Sequence, residues 1–88
     1  MVIITGINRI YEHEGRRFHV QCEDLGSDVA AYETRVYDGG SVLWLKRISY
    51  SDLVEEKLGQ EEHERALRLQ MEKTIQTVQA AIGKGKIS

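Results

Sequence analysis

Apolar and polar residues alternate along the chain from Arg16: Phe18, Val20 and Cys22 share one parity, and Arg17, His19, Gln21 and Glu23 the other. Successive side chains of a strand point to opposite faces, so this pattern predicts a half-buried antiparallel strand over residues 16–25. Residues 29–38 repeat the pattern, with Tyr32, Thr34 and Val36 opposed to Glu33, Arg35 and Tyr37. Between residues 38 and 41, Asp-Gly-Gly-Ser joins two β-rich runs, which marks a tight hairpin because glycine takes positive φ at almost no cost. The run after it, residues 41–50, has apolar residues of both parities: Val42, Trp44 and Ile48 against Leu43 and Leu45. Such a strand is expected to be covered on both sides, by the helix on one and by something else, such as a second subunit, on the other.

Before these, residues 2–11 are rich in Val, Ile and Tyr but alternate poorly, and Gly6 and Asn8 interrupt them. A strand with a bulge or bend near Gly6, or an edge strand, is expected there. Residues 12–15 form the turn, with Gly15 supplying positive φ for a short loop with a bulge.

The period changes after residue 50. Ser51 or Asp52 is a candidate N-cap, and Asp52 with Glu55 approximates a capping box. A short helix over residues 53–58 follows, which Gly59 stops or bends. From residue 60 to 82 the period is helical. Leu67, Met71, Ile75, Val78 and Ile82 are spaced four, four, three and four, one stripe on one face. Glu61, Glu62 and Glu64 open this helix and Lys84 and Lys86 follow it, as the helix dipole favours. Gly83 is the expected C-cap and Gly85 a frayed end. The fold class is therefore α+β: a four-stranded antiparallel β-meander (residues 2–50), then a helical region (residues 52–83) whose long C-terminal α-helix packs on one sheet face. The pattern leaves open whether that sheet belongs to the same chain or to a partner.

At 88 residues the chain suits one domain spanning residues 1–88 and buries a thin core. Its only cysteine, Cys22, excludes an intrachain disulfide and makes a structural zinc site implausible, so self-association is the remaining source of extra buried surface. Leu69, Leu53 and Val54 fall off the main helical stripe and add weight to a second contact. A net charge of -2 argues against a general affinity for nucleic acid or anionic membranes. No apolar run approaches the roughly 20 residues that span a bilayer, and no signal peptide is evident. A cytoplasmic location is the expectation, and a free thiol agrees with it.

Candidate chemistry thins out under strand geometry. His19, Cys22 and Glu23 are close in sequence, but His19 and Cys22 differ by three positions and point to opposite faces, so no metal site is expected. His63 lacks the second histidine four residues on that a metalloprotease helix needs, and reads as a solvated residue on an acidic face. His13 sits in a turn between two glutamates. Cys22 shares parity with Phe18 and Val20, so a core thiol is expected rather than a nucleophile. Adjacent Glu23 and Asp24 diverge and do not make an acid/base pair. Gly39-Gly40 is not a phosphate loop, because no helix starts after it. Neither a catalytic set, a metal nor a cofactor is expected. Arg16, Arg17, Arg35, Lys46 and Arg47 would make a basic platform for nucleic acid or an anionic ligand if they converged on one edge of the sheet, an alternative that the acidic net charge weakens.

Phe18 to Gly26, then Glu33-Thr34, Val36 to Gly40 and Ser49 to Leu53, resemble a family of small uncharacterised bacterial proteins. That family has an aromatic-His-Val-Gln-Thr-Glu-Asp strand, a Val-Tyr-x-Gly-Gly hairpin and a Thr-Ser-Tyr-x-Asp segment. The resemblance implies no activity. Cys22 and Ile48 stand where the family pattern has threonine, so no cysteine-dependent role follows either. The functional expectation is a small non-enzymatic interaction module that self-associates as a homodimer. Its candidate surface is His19, Gln21 and Glu23, which folding does not require, with Trp44, Leu45 and Leu69.

Overall fold

A computed structural model describes residues 6–87. The predicted start of the first strand, residues 2–5, lies outside them. Four strands, β1 (Gly6–His13), β2 (Arg16–Asp24), β3 (Ala31–Asp38) and β4 (Ser41–Ser49), form one antiparallel sheet in sequence order. A short helix, α1 (Ser51–Glu55), and a long one, α2 (Gln60–Gly83), follow. The predicted α+β class and meander are therefore what the chain adopts, and the helix packs on its own sheet.

The register explains which side chains meet. Residues directly opposite in neighbouring strands share a face. Ile7 pairs with Cys22, Tyr11 with Phe18, Val20 with Val36, and Cys22 with Thr34. These residues, with Tyr32, make the face beneath α2. All five stripe residues of α2 are buried there, and α2 lies across β1, β2 and β3. Burying such a side chain is worth about 1.5–3 kcal/mol, so the five together supply much of the driving force for docking. Leu53 is buried in the same core and Val54 packs against it, so neither is surplus as the sequence suggested; of the three off-stripe residues only Leu69 stays exposed.

The local corrections have local causes. β1 is an edge strand, one of the two forms expected for it, and it pairs with β2 residue for residue from Gly6 to His13 without a bulge. The first hairpin closes through two residues, Glu14 and Gly15, both at positive φ (51° and 77°), so no bulged loop is needed there either. The second closes through Gly39 and Gly40 in the same way (57° and 91°). The irregularity lies in β4 instead. Tyr37 pairs with Val42 but Val36 with Trp44, which leaves Leu43 as an extra residue. This bulge turns Val42 to the opposite face from Trp44 and Ile48, and sends Leu43 to pack against the core.

Neither Ser51 nor Asp52 caps α1. Its N-cap is Tyr50, and the Ser51 N–H donates to Ser49 Oγ at 3.3 Å. After α1 the chain reverses at Lys57, which holds φ 54°, and Gly59 is the extended N-cap of α2. α2 runs through Gly83 and is capped at Lys84. Gly85, at φ 73°, then lets Gly85 N–H reach the Ile82 carbonyl and Lys86 N–H the Ala81 carbonyl, a Schellman closure that folds Ile87 back into the core.

Candidate functional site

Among the described residues, nothing covers the sheet face away from α2. Four aligned positions cross it as a row: Ile10 on β1, His19 on β2, Tyr37 on β3 and Val42 on β4. The next row is Asn8, Gln21, Arg35 and Leu45, and the one after it ends in Glu23, Glu33 and Arg47. With strands about 4.8 Å apart, each row spans roughly 14 Å.

These side chains brace one another. His19 Nε2 lies 2.9 Å from Asn8 Oδ1, and its ring sits 5.7 Å from the Tyr37 ring. The Tyr37 hydroxyl donates to Gln21 Oε1 at 3.3 Å, and Arg35 Nη1 approaches the same oxygen at 3.5 Å. Arg35 also donates to Glu33 Oε1 and lies 3.5 Å from Glu23, while Arg47 donates to the other oxygen of Glu33 at 3.0 Å. An open hollow of about 290 Å³ lies above the first row, lined by Ile10, Arg17, His19, Gln21, Tyr37, Gly39 and Gly40.

Three large aliphatic side chains stand out of this face. Ile10 is 56% exposed, Val42 52% and Leu45 51%. They flank a polar centre whose charges are already satisfied within the sheet. Such an arrangement offers apolar anchors with fixed donors and acceptors between them.

Of the six predicted interaction residues, His19, Gln21, Glu23 and Leu45 share this face. Trp44 points to the opposite side, at the uncovered margin beside α2, and Leu69 is exposed away from the buried stripe of α2. The five cations proposed as a basic platform do not converge. Arg17, Arg35 and Arg47 lie on the open face, whereas Arg16 and Lys46 lie on the face of α2. Each of the four arginines has an acidic partner: Asp38 for Arg16, Glu12 for Arg17, Glu23 and Glu33 for Arg35, and Glu33 for Arg47. Sequence reasoning missed Asn8, Ile10 and Val42 as members of this surface. The first two follow only from the β1–β2 register, and Val42 only from the bulge.

Cys22 is fully buried, and burial pushes its thiol up from the ordinary value, against a weaker opposing effect of the Thr34 hydroxyl at 3.4 Å. His63 is not simply solvated: its ring meets that of Tyr50 edge-on at 6.0 Å. His13 lies 3.9 Å from Glu14. Among the described residues no group of three His, Cys, Asp or Glu side chains is placed to hold a metal ion. No described helix is long and apolar enough to cross a membrane. No family model, curated protein or solved structure matches the chain.

Proposed function

We propose that the chain is a non-enzymatic interaction module, and that its open sheet face pairs with a second copy of itself to form a homodimer. The observation that carries this reading is the exposure of Ile10, Val42 and Leu45 on one face, with no layer above them among the described residues. A two-fold axis through the His19–Tyr37 row would bring the Val42 end of one copy over the Ile10 end of the other, so one patch serves as both halves of an isologous contact. The polar residues between those ends are already hydrogen-bonded, so covering them leaves few unpaired groups. A cytoplasmic location belongs to the same reading and rests on the single unpaired thiol of Cys22.

Size-exclusion chromatography with light scattering tests it. The expected mass is twice the 10.1 kDa of one chain, returning to one chain when Val42 and Leu45 are both changed to glutamate. A wild-type chain that stays monomeric at roughly 100 μM, where even a Kd of about 10⁻⁵ M would show, overturns the proposal.

A further inference from the structure

A second concavity lies on the opposite side of the sheet. Because α2 packs chiefly on β1, β2 and β3, the inner face of β4 is left partly open beside the C-terminal half of the helix. The resulting groove holds about 490 Å³, within the range of roughly 300–1,000 Å³ usual for small-molecule sites. Its floor is apolar: Trp44 and Ile48 from β4, Val78 and Ala81 from α2, and Ile87, brought back by the Schellman turn. Its rim carries Lys46, Lys73 and Lys86.

The charge around this groove is one-sided. No acidic residue lines it. Residues 73–87 contain three lysines and neither Asp nor Glu. The ion pairs of the described residues use five arginines and one histidine, and none involves the three groove lysines. Elsewhere on the sheet, cations are neutralised by neighbouring acids; here, among the described residues, three lysines stand without an acidic partner around a half-buried apolar floor. An anion entering the groove would meet these three cations with no acidic lining residue to compete for them.

We propose that the groove binds a single-chain amphipathic anion, with its hydrocarbon chain against Trp44, Ile48 and Val78 and its carboxylate or phosphate head held by the lysine rim. This site lies on the other side of the sheet from the dimer face, so the two proposals stand or fall separately.

Trp44 is the sole tryptophan, so its fluorescence reports on the groove alone. The test titrates the full chain with dodecanoate and dodecyl phosphate below their micelle points, and with dodecanol and inorganic phosphate as controls lacking the charge or the chain. The expected result is a saturable, one-to-one change in Trp44 emission with both anionic amphiphiles. Dodecanol should bind several-fold more weakly and inorganic phosphate should leave the emission unchanged. The triple variant K46Q/K73Q/K86Q should lose about tenfold in affinity, roughly twofold for each exposed ion pair, with an unchanged circular dichroism spectrum. Ala81→Phe, which fills the groove, should abolish the response; if that variant does not fold, the lysine variant decides. The proposal is overturned by no saturable change, by dodecanol binding as well as dodecanoate, or by full affinity in the lysine variant. It is equally overturned if the chain sediments with phosphatidylglycerol vesicles while ignoring monomeric dodecanoate, for then the lysines read a membrane surface.

Discussion

The Tyr50 hydroxyl donates to Asp24 Oδ1 at 2.6 Å, and the same oxygen accepts the Gly26 N–H at 3.0 Å. One carboxylate oxygen thus ties the end of β2, the loop that follows it and the residue that starts α1. The Tyr50 ring is buried, stacked 6.3 Å from Tyr32 and met edge-on by His63. Tyr50→Phe keeps the packing and removes only the hydroxyl. It should cost about 1.5–3 kcal/mol, as a hydrogen bond to a charged group is worth. In a domain of this size that is a fall in melting temperature of roughly 6–24 °C, measurable by thermal circular dichroism. Asp24→Asn should cost less than Asp24→Ala, because the amide oxygen still accepts from both donors.

Alkaline pH should weaken the fold. Burial raises Tyr50 and Tyr32 above their ordinary value of 10.0, Tyr50 further because its proton is shared with the Asp24 carboxylate, and burial raises Cys22 above 9.0. A group raised by folding binds its proton more tightly in the native state, so its contribution is complete below the unfolded value and is lost as pH rises toward the folded one. Denaturant midpoints should therefore be steady from neutrality to about pH 9 and fall beyond it. Tyr50→Phe should flatten that fall; an equally steep decline in the variant would show that Tyr50 is not responsible.

The Cys22 thiol should be inert to an aromatic disulfide reagent in the native state and react once denaturant exposes it. Its relative exposure is 0% and its thiolate is disfavoured by burial. Labelling should follow the opening of the sheet, and fast labelling of native protein would contradict the buried position.

Two backbone substitutions of opposite sign test the turns. Lys57 holds φ 54° without being glycine, so Lys57→Gly should be neutral or stabilise by up to about 1 kcal/mol. Gly40 holds φ 91°, a conformation that side chains avoid, and Gly40→Val should destabilise by about 1–2 kcal/mol. Urea melts of the two variants read both signs directly.

The Arg9–Glu72 ion pair joins β1 to α2 but is partly exposed at both ends. Its removal in Arg9→Ala should cost no more than about 1 kcal/mol. Met71→Ala, one residue away and fully buried, should cost about 2–5 kcal/mol. A comparable loss from both in urea melts would mean that the ion pair carries more of the docking than its exposure implies.

Much of this architecture is legible in the chain because its elements have clean periods. The parity of Phe18, Val20 and Cys22 and the four-four-three-four stripe from Leu67 to Ile82 each specify a buried face, and the structure buries all eight residues. What escapes is anything that depends on register between strands. Parity counting places Val42 with Trp44, and only the bulge at Leu43, which has no sequence signature here, separates them. The exposed face suffers most, because its members come from four strands and share no local pattern. Ile10 and Asn8 look like noise in a poorly alternating strand until β2 is laid beside them. The caps escape for a different reason. Ser51 and Asp52 have good capping chemistry, but α1 starts one residue too early to use either.

The strand order β1-β2-β3-β4 has a kinetic consequence. Every pairing in the sheet closes across a nearby turn, two of them only two residues long. Loop closure costs little at such separations. The contact that is distant in the chain is the return of α2 onto β1, where Arg9 meets Glu72 across 63 positions. Sheet formation is thus separable from helix docking in the entropy each must overcome, and a chain with a weakened stripe should still zip its hairpins while failing to close over them.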